Sequence, residues 1–342
     1  MNARVEHSLI SEERLLELAS ATLQRFGMDA SDARAASRIL VLADLLGIHT
    51  HGVERIASYG QRMRLGGINP RPSMALEVVA PAIARLDGDN GVGPLVGVRA
   101  LEAGMATARE LGVAAVFARR SNHFGPIAPY TLLAAEAGFA SIIGSNATNT
   151  ITPWGGREAR LGNNPLAFGI PNPTGRPLIL DMAISVAARA KIRSALERGE
   201  SIPPTWATNR EGRPTTDPRE ALSGFLLPIG GHKGYGLALM VDLFAGVLSG
   251  AAYLTHVRSW VDTPAKPQNL GHFFILIDTV RFGPRDWLAA RIDDFRAILH
   301  GTPPIDPEKP VLVPGEIELT LLERQRREGI ALDRRVLAEL EG

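Results

Sequence analysis

Leucines 15, 16, 18 and 23 and Phe26 recur at helical spacing behind Ser11, a residue type that caps helix starts, and Gly27 stands where such a helix would stop. A second helix is expected from about Asp32, with Ile39, Leu40, Leu42 and Leu45 inside and Gly47 as its end. A third should follow at once. Thr50 occupies its N-cap position and Val53, Ile56, Tyr59 and Met63 its apolar face, which puts His51 in the first turn and Arg55 one turn later on the same side. Beyond residue 80 the rhythm changes. Short β-like runs near Val113–Ala118, Ser141–Ser145, Leu178–Asp181 and His272–Asp278 alternate with helical stretches over Pro94–Leu111, Pro126–Ala137, Ser185–Arg198 and Tyr235–Ser249, the pattern of an α/β core. From Asn149 to Pro177 the chain is rich in Gly, Pro and Asn and has no period. Its prolines, with Leu161, Leu166, Phe168 and Ile170, predict a long ordered loop. The Arg/Glu-dense stretch Leu319–Leu340 reads as a surface helix pair.

One segment departs from this rhythm. Residues 230–242 read Gly-Gly-His-Lys-Gly-Tyr-Gly-Leu-Ala-Leu-Met-Val-Asp, a glycine-dense turn with one lysine running into an apolar helix. Glycines let a ligand approach the backbone, the free N–H groups of a helix from about Tyr235 point the same way, and Lys233 adds a positive charge. The turn therefore suits an anion such as a phosphate. It has neither the spacing of a P-loop nor that of the dinucleotide GxGxxG fingerprint, so a plain loop leading into a core helix is the competing reading.

A chain of 342 residues suggests about two domains. Lys plus Arg number 37 against 36 Asp plus Glu, and a net charge of +1 gives no electrostatic case for nucleic acid or a membrane surface. The absence of cysteine rules out disulfides and thiolate chemistry and fits a cytoplasmic enzyme. Met-Asn-Ala-Arg-Val-Glu-His-Ser, at the start, carries charge where a signal peptide needs an apolar core. No run reaches the roughly 18 apolar residues of a membrane span. A soluble, unexported chain is the expectation.

Of eight histidines, three stand in unusual company: His49 and His51 around Thr50, and His123 within Asn122-His123-Phe124-Gly125. At a helix N-terminus the dipole lowers the pKa of His51, and an adjacent carboxylate would raise it again, a balance suited to proton transfer near pH 7. Candidate carboxylates are Asp44 and Asp181, the latter closing the apolar run Pro-Leu-Ile-Leu-Asp where α/β active sites gather. Asp181 serves equally well as a cap for the helix from Ser185. Arg55 is placed to clamp a carboxylate through its planar fork, or to pair with Glu54 on the surface. Pro314-Gly315-Glu316 offers a carboxylate to ribose hydroxyls or simply starts the last helical region. His49, His51 and His123 form a possible zinc set, but the spacing is unspecific and the first two point to different sides of a helix start.

The ordered set Ala43-Asp44-Leu45 through Thr50-His51-Gly52-Val53-Glu54-Arg55, Ser121-Asn122-His123-Phe124-Gly125, Pro153-Trp154-Gly155-Gly156, Leu161-Gly162-Asn163-Asn164-Pro165, Asp181-Met182-Ala183-Ile184-Ser185, Gly230 to Leu239, Gly271-His272-Phe273-Phe274 and Pro314-Gly315-Glu316 resembles the malate/L-lactate dehydrogenase family of the second type. The resemblance spans nearly the whole chain. It implies a three-layer α/β/α fold with a mixed, non-Rossmann sheet and an N-terminal helical region. The expected division is 1–75 for the helical region, 76–120 with 260–342 for a substrate and dimer part, and 121–259 for cofactor binding. It further implies hydride transfer between NAD or NADP and the 2-carbon of a small 2-keto or 2-hydroxy acid, or a related cyclic imine, without a metal.

Residue by residue, His51 resembles the proton donor, Asp181 its orienting partner, Arg55 the carboxylate holder and His123 a second active-site histidine. Asp181, Met182, Ala183, Ile184, His232, Lys233, Pro314, Gly315 and Glu316 resemble cofactor contacts, and homodimers with sites near the subunit boundary are implied. The chain departs from the family pattern at Thr50 (usually serine), Asn163 and Ile184 (threonine) and Ala190 (glycine). None of these removes the acid, the arginine or the lysine. Two other readings compete: a metal-dependent hydrolase or lyase using His49, His51 and His123, and a cofactor-binding protein without turnover.

Overall fold

In the computed structural model, which describes residues 7–342, the chain opens with strand β1 (His7–Ile10) and helix α1 (Glu12–Arg25), whose cap Ser11 accepts a hydrogen bond from the Arg14 N–H at 3.2 Å. The charged segment Met1–Glu6, part of the leader-peptide reading, lies outside the described residues. Helix α2 (Ala30–Leu45) follows, and its second half, Ile39 to Leu45, is buried on every side. Gly27 and Gly47 take the positive φ values, 101° and 78°, that end these helices.

Next come a 3₁₀ turn (His49–His51) and α3 (Arg55–Arg64). The α/β part then runs β2 (Ala75–Ala80), β3 (Ile83–Asp87), α4 (Gly93–Leu111), β4 (Val113–Ser121), α5 (Ala128–Glu136), β5 (Phe139–Ser145), β6 (Asn149–Ile151), β7 (Leu161–Gly162), β8 (Leu166–Ile170) and β9 (Leu178–Met182). It continues with α6 (Arg189–Arg198), β10 (Ala207–Thr208), α7 (Pro218–Ser223), β11 (Phe225–Leu226), α8 (His232–Asp242) with a π-helical continuation (Leu243–Leu248), β12 (Leu270–Asp278), α9 (Arg285–His300), α10 (Glu316–Glu328), β13 (Ile330–Asp333) and α11 (Arg334–Glu341).

The main sheet has seven strands in the order β2-β3-β4-β12-β5-β8-β9. Only β3 and β4 run parallel; every other neighbouring pair is antiparallel. This is a mixed sheet, unlike the parallel sheet of a Rossmann fold. Central β12 shows how it is covered. Phe274 and Leu276 join Val116, Tyr130 and Ile143 in the layer under α4 and α5, whereas Phe273 and Ile275 join Ile142, Ile184 and Val241 in the layer that contains α8. A four-stranded sheet, β10-β11-β6-β7, lies in that second layer, and β1 pairs with β13 beside the N-terminal helices. The strands of the main sheet come both from 76–120 with 260–342 and from 121–259, and they share one hydrogen-bonded ladder.

Several elements differ from their expected form. The stretch from Asn149 to Pro177 is not loop throughout: it contains β6, β7 and β8, and β8 completes the main sheet between β5 and β9. Glycines and prolines around short apolar runs hid these strands. The helix expected from Ser185 starts at Arg189, because Ser185 is bridged to Pro228 in extended backbone. Helix α8 starts three residues before Tyr235, so Lys233 is part of its first turn. The tail helices are separated by β13, and Leu319, Leu322 and Gln325 of α10 are buried rather than exposed.

Candidate active site

Asp44, at the end of α2, is fully buried and governs the turn that follows. One carboxylate oxygen accepts the Val53 N–H at 2.8 Å and the other pairs with His49 Nδ1 at 2.9 Å. A Cβ on Gly52 would sit 2.3 Å from both oxygens, so glycine is needed for the chain to wrap around the carboxylate. Burial raises the Asp44 pKa, opposed by these two bonds. Because Asp44 takes the Val53 N–H, the helix start that was assigned to Thr50 is displaced. Residues 49–51 form a 3₁₀ turn, α3 begins at Arg55 after Glu54, and Thr50 caps nothing. Its Oγ1 is instead hydrogen-bonded to His51 Nδ1 at 2.9 Å.

His51 therefore sits in the 3₁₀ turn rather than the first turn of α3, and no carboxylate among the described residues adjoins it. Its pKa is pushed down to about 4, first by burial and then by the Arg55 guanidinium. With Nδ1 engaged by Thr50, Nε2 is the nitrogen left for a ligand. Arg55 donates through Nε to the Thr50 carbonyl at 2.7 Å, and its two terminal NH₂ groups have no partner among the described residues, Glu54 included. His123 faces His51 with ring centroids 5.4 Å apart, and its Nδ1 is hydrogen-bonded to the Tyr59 hydroxyl at 2.9 Å. Burial, then the nearby His51 and Arg55, hold His123 well below its ordinary pKa. Burial also raises the Tyr59 pKa, so the phenol stays protonated. Both imidazoles are neutral at pH 7, beside a guanidinium whose terminal nitrogens are free among the described residues.

Two residues of this cluster have no counterpart among the sequence candidates, and Tyr59 enters the sequence pattern only as part of an apolar face. Trp260 stands edge-on to Tyr59 at 5.6 Å and 5.7 Å from His123. Gln268 accepts the main-chain N–H of His123 at 3.1 Å through Oε1 and reaches the Thr148 hydroxyl with its amide nitrogen. Both lie some 200 residues beyond α3 in a stretch without motif, so nothing in the sequence pointed to them. His49 is turned to Asp44, and among the described residues no group of three or more His, Asp or Glu is arranged to hold a metal ion.

Asp181 does not contact His51. Its Oδ2 accepts the Ile127 and Ala128 N–H groups at 2.8 and 2.7 Å, so the carboxylate caps α5 rather than the helix after Ser185. Burial raises its pKa to about 6 despite these bonds. Asp181 also lines a cavity of about 410 Å³ along the free edge of β9, together with Ile48, Ala128, Val313, Pro314 and Gly315. Pro314 accepts the Ile179 N–H, and a Cβ on Gly315 (φ 91°) would lie 2.8 Å from the Ile179 carbonyl. A second cavity of about 720 Å³ adjoins it through Leu312 and Ile317 and is lined by Arg176, His300, Glu316 and Arg324.

The remaining sequence candidates fall around this edge. The Glu316 carboxylate accepts the Val313 N–H and pairs with His300; these contacts hold its pKa low although burial opposes them. Met182 and Ala183 are half-buried, whereas Ile184 is fully buried in the core, joined through its backbone to Asn163 and Ile229. That second link sets the 181–184 segment beside the 229–233 turn. There Gly230 and Gly231 have φ values of 57° and 63°, His232 stands edge-on to Trp154, and Lys233 is exposed.

Neutral imidazoles beside a free guanidinium suit proton transfer to or from a carboxylate-bearing substrate, and the mixed sheet carries a glycine-opened cleft at its edge. The fold and site are those of an α/β enzyme of non-Rossmann topology, and comparison with known proteins makes it an oxidoreductase acting on CH–OH groups. A model of the malate/L-lactate dehydrogenase family matches residues 10–341, and the chain belongs to that family. It is 35% identical over 339 residues to malate dehydrogenase of Pyrococcus horikoshii, covering 97% of this chain and 93% of that one. It is also 35% identical over 323 residues to ureidoglycolate dehydrogenase (NAD(+)) of Escherichia coli, covering 94% and 92%. The crystal structure of malate dehydrogenase from Entamoeba histolytica superposes with a TM-score of 0.91 at 30% identity, covering 98% and 97%.

Proposed function

We propose that the protein is an NAD-dependent oxidoreductase that moves hydride between the nicotinamide and the 2-carbon of a small 2-keto or 2-hydroxy acid, or of a related cyclic imine. The observation that carries this reading is the convergence of His51, Arg55, Tyr59 and His123 on one short turn, one helix and the end of one strand. Supporting NAD in particular is the relative that bears it in its name.

The residues present fit a dinucleotide. Gly230 and Gly231 open the start of α8, where His232 and Lys233 are exposed and Lys233 has no side-chain partner among the described residues, and Gly315 lets the 314–316 turn close on β9. Asp181, Met182, Ala183, Pro314, Gly315, His232 and Lys233 would hold the cofactor, Ile184 would back it from the core, and Glu316 would meet a ribose hydroxyl. When bound, the nicotinamide supplies or accepts the hydride.

The protein's own part is positioning and proton transfer. The free fork of Arg55 takes the substrate carboxylate in bidentate fashion and fixes the 2-carbon, lowering the entropic barrier. In oxidation, neutral His51 accepts the hydroxyl proton at Nε2; in reduction, the same nitrogen returns it to the carbonyl oxygen or imine nitrogen. Thr50 holds the ring by Nδ1. A substrate carboxylate on Arg55 offsets the charge that depresses His51 and so favours uptake of the proton it must deliver. His123, fixed by Tyr59 and Gln268, forms the opposite side of the pocket. Asp181 acts on this pocket only at a distance, by holding the start of α5.

A homodimer is part of the same proposal. Met240, Leu243 and Val247 present an exposed apolar row along α8 and its continuation, and sedimentation velocity measures whether it is covered. No helix among the described residues is long and apolar enough to cross a membrane. The deciding experiment follows NADH and NADPH absorbance with pyruvate, oxaloacetate, sulfopyruvate and piperideine-carboxylate, and the reverse reaction with ureidoglycolate. Turnover of at least one substrate is expected; cofactor binding with no turnover across the set would favour the non-catalytic reading.

A further inference from the structure

Arg62 is among the most completely buried side chains of the described residues, at 2% exposure, although it carries a permanent charge and no carboxylate among those residues pairs with it. Its two terminal nitrogens are spent on main-chain carbonyls of one distant segment, and its Nε is buried without a partner among the described residues. Nη1 donates to Trp260 at 2.8 Å and to Thr263 at 3.4 Å, and Nη2 donates to Lys266 at 2.6 Å. The same group lies over the Trp260 indole, 4.4 Å from the ring centroid. Nearby, a Cβ on Gly67 would lie 2.0 Å from the Pro264 carbonyl, so the 66–68 turn is pressed against the same segment.

Trp260 is held a second time from α3. Its Nε1–H donates to the Ser58 hydroxyl at 2.9 Å, and Ser58 and Arg62 are one helical turn apart. On the same helix, Arg55, Tyr59 and Arg62 follow one another at i, i+4 and i+7. The helix that presents the carboxylate clamp and the partner of His123 thus also grips the segment carrying Trp260 and ending at Gln268, two of the residues around His123. Burying a guanidinium without a counter-ion is costly, which argues that its place is specified by what it holds.

We propose that Arg62 is a positioning residue that fixes Trp260 as the wall of the substrate pocket beside His123, and that this wall sets the size of substrate side chain the enzyme accepts. This rests on the assignment of the His51–His123 cluster as the active site. Arg62 does not hold substrate, since both terminal nitrogens already serve carbonyls; Arg55, whose terminal nitrogens are free, does. With the indole locked at 5.7 Å from His123, substituents on the substrate 3-carbon meet a rigid aromatic surface.

The test uses full-length protein and the variants Arg62→Met, Arg62→Lys and Trp260→Ala. Kinetics with NADH compare pyruvate with 2-oxobutyrate and phenylpyruvate. Trp260→Ala should shift kcat/KM by about 10-fold toward the bulkier substrates. Arg62→Met should shift it in the same direction, through KM more than kcat, and Arg62→Lys, which cannot reach three carbonyls, should fall between.

An NMR arm is independent of turnover. In ¹⁵N-labelled protein the Trp260 indole N–H, assigned through Trp260→Phe, should exchange slowly with solvent in the parent and fast in Arg62→Met, with the Trp206 indole signal unchanged. If Arg62→Met does not fold, Arg62→Lys carries both arms. Unchanged exchange together with unchanged substrate preference would overturn the proposal. A parent protein inactive on all substrates would instead overturn the active-site assignment, while the exchange measurement still decides whether Arg62 holds Trp260.

Discussion

The hydroxyl of Thr50 lies 2.9 Å from Nδ1 of His51, in the place where a carboxylate would orient a catalytic imidazole. A neutral hydroxyl steers the ring without adding charge, so nothing offsets the burial and the Arg55 charge that keep His51 unprotonated. Thr50→Val, which keeps the shape and removes the hydroxyl, is expected to lower kcat about fivefold, the worth of one ordinary hydrogen bond. Thr50→Ser should retain activity. Equal kcat for all three proteins would show that His51 is oriented by other means.

His51→Ala removes the proposed proton-transfer group and should reduce kcat by about two orders of magnitude or more. NADH affinity, measured by fluorescence titration, should change little. Parent-like turnover would remove His51 from the mechanism.

Arg55→Lys replaces a planar fork by a point charge, and KM for carboxylate substrates should rise about 10-fold or more. Arg55→Gln goes further by removing the positive charge that holds His51 down, so the His51 midpoint, read from its ring proton resonances, should move up from about 4. A midpoint that stays in place would mean that burial alone sets it.

Tyr59→Phe leaves His123 Nδ1 without its partner while keeping the ring that meets Trp260. The expected result is a fall in kcat of about five- to tenfold together with a stability loss of about 1–3 kcal/mol, because the part-buried His123 Nδ1 is left unpaired. A stability loss without a kinetic effect would make Tyr59 structural.

The pH dependence of stability has a defined sign at His272. This residue is fully buried, bonded to Ser121 and Ser145, and burial pushes its pKa down to about 3 from the usual 6.5. Between these values the unfolded chain binds the proton and the folded protein does not, so stability is full above about 6.5 and falls as the pH drops below it. The slope is at most about 1.4 kcal/mol per pH unit for this group, and His123 adds to it. His272→Gln should be less stable at pH 8 but lose stability less steeply between pH 6.5 and 4 in urea melts. A parallel curve would place the titration elsewhere.

The N-terminal helices, the core strands and the α/β character were legible because they depend on caps and periodicity within a few residues. Ser11, Gly27 and Gly47 act locally and behave as their residue types dictate. The third helix starts later than its sequence signal because Thr50 competes with a carboxylate six residues earlier, and only the wrapped turn at Gly52 makes Asp44 the winner. Asp181 illustrates the opposite limit: an aspartate closing a strand is recognisable, but whether its oxygens face His51, Ser185 or Ile127 depends on how α5 packs on β9. Arg55 and His123 were legible by residue type. Tyr59, Trp260 and Gln268 were not, since a tyrosine on a buried helix face looks like packing and the other two become neighbours only through the fold.

Residue 272 also bears on how the protein is made. Its imidazole bridges Ser121 and Ser145, which lie 151 and 127 positions earlier, and its strand separates two strands that otherwise have no common neighbour. During synthesis the segment up to residue 269 has an open slot at the middle of its sheet, with both flanking ladders unpaired. Trp260 and Gln268 sit on the stretch leading into that slot, so entry of β12 also ties down the far end of the segment that meets His123. A chain cut short before the slot is filled would expose two strand edges and leave the Trp260–Gln268 stretch unanchored at its far end, which makes premature termination here a route to aggregation.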